Sequence, residues 1–267
     1  ICDLEDEIKK FIPVKFWEIK GEFTNKLKLS LYKMEDKKID KLTDEKVVEE
    51  IKKVEKKDFE VIEAKVSKKS KNSPLPLKTS TLQQLASSYL GFSASKTMRI
   101  AQGLYEGIDI EGTHKGLITY MRTDSTRISD DAVEMAKNYI LENFGKEYLG
   151  VKKVSKSKQK IQDAHEAIRP TDINLTPDSL KNTLDKDQQK LYKLIWERFV
   201  ISQLAPMKYE QFELVCNYDK FSFRGTINKI IFDGYYKIFK EEEDLPLGEF
   251  PDIKVGNILK LEKLLIK

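Results

Sequence analysis

The sequence predicts a multidomain protein of mixed α and β structure: a β-rich domain, discontinuous along the chain, with an inserted all-α domain. Three changes of pattern predict it. Apolar residues alternate with polar ones up to residue 78, recur at helical spacing from 79 to 204, and alternate again from 205 onward. The expected limits are a helical tail at 1–12, the β-rich domain at 13–78 and 205–267, and the helical domain at 79–204. Two linkers crossing one boundary suggest a hinge. At 267 residues, with 40% hydrophobic and 10% aromatic content, the chain has room for one large domain or two modest ones, each with a core.

Each element has a local reason. The start, Ile1-Cys2-Asp3-Leu4-Glu5-Asp6-Glu7-Ile8, reads as the tail of a helix already under way, so the sequence is expected to begin inside a longer protein. Trp17, Ile19 and Phe23 alternate with polar residues, Thr24-Asn25-Lys26 makes a turn, and Leu27, Leu29 and Leu31 form a second strand. Thr43 is expected to cap a short helix reaching Val54, with acids in its first turn. A strand follows at Phe59 to Val66, and Ser67 to Leu77, with Pro74 and Pro76, reads as a basic linker.

The middle zone opens with Leu82, Leu85, Ala86, Tyr89 and Leu90 on one helical face, capped by Thr79 or Ser80 and stopped by Gly91. Met98, Ala101 and Tyr105 mark the next helix. Ser129 caps a third, with Asp130 and Asp131 in its first turn, Val133, Ala136, Ile140 and Phe144 inward, and Gly145 as its stop. Thr176-Pro177 has the form of a cap followed by a first-turn proline. Leu191, Leu194, Ile195 and Phe199 mark a long helix ending before Pro206. Beyond it Phe212, Leu214 and Cys216, then Phe221 and Phe223 past a turn at Asp219-Lys220, read as strands, with Gly225, Gly234 and Gly248 punctuating the remainder.

Charge and cysteine content exclude more than they identify. Charged residues make up 34% of the chain, yet the formal net charge is only +4, so local runs matter more than the total. One run holds Lys65, Lys68, Lys69, Lys71 and Lys78, and another holds Lys152, Lys153, Lys156, Lys158 and Lys160. Each alone reads as a solvated loop, and becomes a phosphate-binding candidate only beside a nucleic-acid site. Cys2 and Cys216 are too few for a disulfide framework or a four-cysteine zinc site, and two reduced thiols are expected. The sequence has no signal-peptide pattern and no apolar run long enough to span a bilayer.

Two segments carry chemistry. In Gly116-Leu-Ile-Thr-Tyr120-Met-Arg122-Thr-Asp124-Ser-Thr126, an extended backbone would put Tyr120, Arg122 and Asp124 on one face. The arginine fork suits a phosphate, and a cation beside a phenol favours its nucleophilic phenolate. The plainer alternative is a tyrosine at a strand end beside a surface ion pair, and among 11 tyrosines composition favours that for any one. The second segment is Asp163-Ala-His165-Glu166-Ala-Ile-Arg169-Pro170-Thr171. It opens like a zinc-protease signature, but Arg169 stands where the second histidine would be. Pro170 disfavours helix at Arg169, so a helix here is expected to end by Ile168, with His165 and Arg169 either capping carbonyls or clamping a phosphate.

Together these segments closely resemble the bacterial type IA DNA topoisomerases. Gly116–Thr126 resembles the family's active-site tyrosine motif, and Ala164–Thr171 its second active-site motif. Thr79-Ser-Thr-Leu-Gln-Gln84, Lys96-Thr-Met-Arg-Ile-Ala-Gln102 and Leu104-Tyr-Glu-Gly107 add matches in the same order. Met121 and Arg169 resemble the topoisomerase I branch more than topoisomerase III, and Met121 also stands against a reverse gyrase module.

The resemblance implies that Tyr120 attacks one strand of single-stranded or underwound DNA and forms a 5′-phosphotyrosyl bond, with religation needing no ATP. Arg122 would hold the scissile phosphate and His165 would position that region. Asp124, Glu166 and Arg169 would be supporting polar residues, and Thr119, Thr123 and Ser125 DNA contacts. It further implies a β-rich arch (topoisomerase domain II) carrying the helical tyrosine domain (domain III), within a cytoplasmic, nucleoid-associated enzyme without membrane contact. The toprim domain, whose acids hold Mg²⁺, and the remaining domains would lie outside this sequence; no metal site is expected within it, and the piece alone would be inactive in cleavage. A DNA-binding module without chemistry is the alternative of a different class. A tyrosine recombinase fits poorly, because those enzymes space their histidine and arginine as His-x-x-Arg, whereas three residues separate His165 from Arg169.

Overall fold

The computed structural model describes residues 2–35, 37–110, 112–150, 165–238 and 246–267. The lysine run at 152–160, residues 163–164 and the acidic run Glu241–Asp244 lie outside them. In chain order the elements are α1 (Cys2–Lys10), β1 (Ile19–Phe23), β2 (Leu27–Met34), β3 (Lys37–Lys38), α2 (Glu45–Lys52), β4 (Asp58–Lys71), α3 (Thr79–Leu90) and α4 (Ala94–Glu106). There follow β5 (Ile108–Ile110), β6 (Thr113–Lys115), α5 (Asp130–Asn143), α6 (Lys186–Gln203), β7 (Met207–Tyr218), β8 (Phe221–Phe232) and β9 (Ile258–Ile266). They form two compact units: Ile1–Lys69, Tyr209–Ile230 and Asp244–Lys267 make one, and Ser70–Lys208 with Ile231–Glu243 the other.

The first unit is built on a large sheet whose strand order is β1-β9-β4-β7-β8-β2-β3, with β1 also paired to β2. The extra pairing closes six of the strands into a ring, and β3 extends β2 outside it. The registers of β1 with β2, β1 with β9, β2 with β8 and β4 with β9 are all antiparallel. Alternation fills the interior: Ile19 and Phe23, Leu29, Phe59 and Val61, Phe212, Leu214 and Cys216, Phe221 and Phe223, and Leu259 and Leu261 belong to one core, joined by Val48 and Ile51 of α2. Phe59 meets Phe23 edge-on at 5.3 Å and Phe223 edge-on at 5.5 Å, so rings from three strands interlock. Closure leaves little unpaired backbone edge, which suits strands this apolar. Cys216 is a free thiol in this core, and burial pushes its pKa up to about 12, so it behaves as a small hydrophobe.

In the second unit the long helix α6 is set by its cap. The Asp185 carboxylate accepts from the backbone N–H of Asp187 and Gln188, both at 2.8 Å, and the Gln188 side chain accepts from the Asp185 N–H at 3.1 Å. The helix buries Leu191, Leu194, Ile195 and Phe199 as its spacing predicts, together with Tyr192 and Trp196. Ser129 caps α5 as expected, and Gly91 ends α3 in the left-handed conformation.

Several elements depart from the sequence reading. Asp44, not Thr43, caps α2, because its carboxylate reaches the Lys46 N–H at 2.9 Å. β4 continues to Lys71, into the stretch expected to be a linker, since outward lysines and serines do not interrupt an extended strand. α3 begins as foreseen, but the Thr81 hydroxyl accepts from the Lys78 N–H, while Thr79 turns its hydroxyl elsewhere. α4 buries Thr97, Ala101 and Leu104, leaving Tyr105 exposed. The Thr176 hydroxyl accepts from the Ser179 N–H at 3.2 Å, as a cap should, but the segment it opens is a series of turns, not a helix. Gly225 lies inside β8, where a Cβ would sit 2.4 Å from a methyl carbon of Leu29; it is a packing requirement and not punctuation. The helical unit also carries the antiparallel pair β5–β6, so it is not purely α.

Candidate active site

Three extended stretches of the second unit lie side by side to build the site. Ile168 bridges Leu77, and Pro170 bridges Ile118. The N–H of Thr119 donates to the Arg169 carbonyl at 2.9 Å, that of Ile168 to Leu77 at 2.8 Å, that of Ala167 to Arg127 at 2.8 Å and that of Thr79 to Thr123 at 2.9 Å. The helix expected to end by Ile168 is therefore not seen from residue 165 onward, where the backbone pairs with its neighbours instead. Leu117, Ile118, Met121, Ala167 and Ile168 bury beneath these chains and anchor them.

From 120 to 125 the segment alternates as an extended chain should. Tyr120, Arg122 and Asp124 are exposed, while Met121, Thr123 and Ser125 are buried. A shallow open depression of about 410 Å³ is lined by Arg122, Thr123, Asp124 and His165 with Thr79, Ser80 and Gln83 of α3. The Tyr120 ring lies against His165, centroids 5.7 Å apart and planes tilted 33°, and its other neighbour is Tyr105, edge-on at 5.3 Å. A phenol, an imidazole, a guanidinium and a carboxylate thus share one solvent-facing surface.

The remaining sequence-predicted residues hold this surface up. The Thr119 hydroxyl donates to the Ala167 carbonyl at 2.7 Å and accepts from the Arg169 N–H at 3.0 Å. The Thr123 hydroxyl accepts from the Ser125 N–H and that of Ser125 from the Arg127 N–H, each at 3.1 Å, fixing two successive tight steps of the chain. Arg169 is committed within the protein: its Nε donates to Glu166 Oε2 at 2.8 Å and its Nη1 to the Pro170 carbonyl at 2.9 Å. Burial raises the pKa of Glu166, but the hydrogen bond and charge of Arg169, with hydrogen bonds from Ser129, outweigh it and hold the carboxyl below its usual range.

Thr79, Ser80, Gln83 and Tyr105 enter the site without having been read as site residues in the sequence. The Thr79 hydroxyl reaches the carbonyls of Met121 at 2.7 Å and Thr123 at 3.0 Å and accepts from the Thr123 N–H at 2.9 Å, tying the first turn of α3 to the tyrosine segment. Their signal was the pair of supporting motifs, Thr79–Gln84 and Leu104–Gly107, whose chemistry is not evident until the fold places them here.

A divalent cation does not fit the residues present. Asp124 is the one carboxylate lining the depression, beside a guanidinium, and Glu166 is engaged by Arg169. Among the described residues no group of three or more His, Cys, Asp or Glu is arranged to hold a metal, and no helix is long and apolar enough to cross a membrane.

Comparison with known proteins places the chain: it belongs to the bacterial type IA DNA topoisomerase family, with the family model for DNA topoisomerase matching residues 1–267. It is similar to DNA topoisomerase 1 of Thermotoga maritima, 49% identical over 254 residues that cover 94% of this chain and 39% of that protein. It is similar also to DNA topoisomerase 1 of Helicobacter pylori, 45% identical over 271 residues covering 99% of this chain and 36% of that protein. The solved structure of full-length topoisomerase I from Thermotoga maritima superposes with a TM-score of 0.80 at 44% identity, covering 100% of this chain and 42% of that one. The chain thus spans less than two fifths of the length of these curated relatives.

Proposed function

We propose that this chain carries the nucleophile of an ATP-independent type IA topoisomerase, and that Tyr120 cuts one strand of single-stranded or underwound DNA. The Tyr120 phenol oxygen bonds to the scissile phosphorus as the bond from phosphorus to the 3′-oxygen breaks. The phenol loses its proton, and the departing strand end takes one up as a 3′-hydroxyl. The 5′-phosphotyrosyl ester preserves the energy of the broken linkage, so the reverse attack reseals the strand after another has passed, and negative supercoils relax. Arg122 offers its fork to the non-bridging oxygens and offsets the charge that develops on them. His165 lies beside the phenol as a positioning group, and Asp124 is a supporting polar residue on the same face. Thr119 joins the two motifs, Thr123 and Ser125 shape the tyrosine segment, and the Glu166–Arg169 pair braces the second motif.

The observation that supports this reading best is the convergence of Tyr120, Arg122, Asp124 and His165 on one exposed surface from segments more than 40 residues apart. In the same reading the ring-shaped sheet unit is the arch and the helical unit is the gate that carries the cut end away. Mg²⁺, in this reading, is held by residues of a toprim domain outside this chain, and no step above passes through it. The test is a labelled single-stranded oligonucleotide. The 267-residue chain alone should form no covalent adduct, whereas the polypeptide extended to the length of its relatives should form one, relax negatively supercoiled DNA, and lose both on Tyr120→Phe. An adduct surviving that substitution would sink the assignment.

A further inference from the structure

We propose that Tyr105 is a positioning residue for Tyr120: its ring holds the phenol edge-on in the orientation that meets the phosphate. The proposal rests on the reading of Tyr120 as nucleophile and adds the group that aims it. Tyr120 sits on irregular backbone with its side chain 37% exposed, so packing against the core does not select its rotamer. Two rings do. Tyr105 lies at 5.3 Å with planes 69° apart, the edge arrangement that aromatic quadrupoles favour, and His165 lies at 5.7 Å with planes tilted 33°.

The backbone that carries Tyr105 is tied to the approach to Tyr120. Tyr105 stands on the last turn of α4, whose inward residues are Ala101 and Leu104, and remains 41% exposed. The Leu117 N–H donates to the Leu104 carbonyl at 2.8 Å, so the helix end grips the segment three residues before Tyr120. Gly116 approaches the Tyr105 carbonyl so closely that a Cβ there would lie 2.7 Å from its oxygen. The end of α4 and the approach to Tyr120 are therefore one rigid piece, and a ring on that piece restricts the nucleophile's side chain directly. In-line attack requires a near-attack geometry, and small misplacement of a reacting atom costs a large factor in rate.

Two measurements test this. In the 267-residue chain carrying ring-¹³C tyrosine, with signals assigned through Tyr120→Phe, the Tyr120 ring resonances should move in Tyr105→Leu and stay near their wild-type positions in Tyr105→Phe. In the polypeptide extended to the length of its relatives, Tyr105→Leu should lower the rate of adduct formation at saturating oligonucleotide by about tenfold, with oligonucleotide affinity unchanged. Tyr105→Phe should restore that rate to within about twofold. Unmoved Tyr120 resonances in Tyr105→Leu, or an unchanged saturating rate, would overturn the proposal. If wild-type protein forms no adduct although the resonances respond, the nucleophile reading falls and takes the catalytic meaning of the contact with it; the resonance measurement tells the two failures apart.

Discussion

Thr119 shows how much one hydroxyl can organise beside the proposed nucleophile. Its oxygen joins the tyrosine segment to the Ala167 carbonyl and the Arg169 N–H, so Thr119→Val keeps the shape but strands a donor and an acceptor among buried neighbours. The expected loss is about 1–3 kcal/mol, read as a lower denaturant midpoint. The Glu166–Arg169 pair adds a dependence on pH. Because Glu166 is held below its ordinary value of 4.5, its contribution is complete above that value and fades as pH falls through the lower folded pKa. Arg169→Met should remove that portion of the acid sensitivity, and an unchanged acid-unfolding profile would discard the pairing as its source. Tyr120, Arg122 and Asp124 were legible in sequence because alternation is a property of neighbouring residues. The structural duty of Thr119 was not, because its hydroxyl finds its partners across separations of 48 and 50 residues.

At the scale of the element, the β5–β6 pair makes the clearest case for a local pH response. Both His114 ring nitrogens face acceptors, Nδ1 the Asp109 carboxylate and Nε2 the Glu106 carbonyl, each at 3.0 Å. A neutral imidazole has one N–H to offer, so only the imidazolium satisfies both. The Asp109 hydrogen bond first, and then the Glu106 carbonyl, raise the His114 pKa above 6.5. The brace is therefore complete below 6.5 and is lost as pH rises through the folded pKa. Hydrogen-exchange protection of the paired amides, corrected for intrinsic rates, should fall over that rise in wild type and stay level in His114→Ala. The hairpin was missed in the sequence because its strands are three residues each, too short for alternation to register. α6 was legible because eighteen residues of consistent spacing and an Asp185-Gln188 capping box agree. Asp185→Ala should cost the helix roughly 1 kcal/mol in thermal or chemical unfolding.

At the scale of the whole molecule, strand alternation announced a β unit but not that its sheet closes on itself, since closure depends on β1 pairing with both β2 and β9, and the β1–β9 pairing joins opposite ends of the sequence. The consequence is testable through Gly225. A Cβ there would lie 2.4 Å from a Leu29 methyl carbon and 3.2 Å from the Lys28 carbonyl oxygen, and Leu29 belongs to the core formed by strands around the ring. A closed ring cannot open on one side to relieve the clash without breaking a pairing, so Gly225→Ala should destabilise the sheet unit by about 1–3 kcal/mol. The ring's core draws on residues of the first unit alone, while α6 buries its apolar face within the second. Hydrogen exchange should therefore accelerate across β1, β2, β8 and β9 in this variant, while the amides of α6 keep their wild-type protection. Equal acceleration in α6 would mean that the two units unfold as one cooperative body, and that the stability of the tyrosine-bearing unit depends on the integrity of the ring.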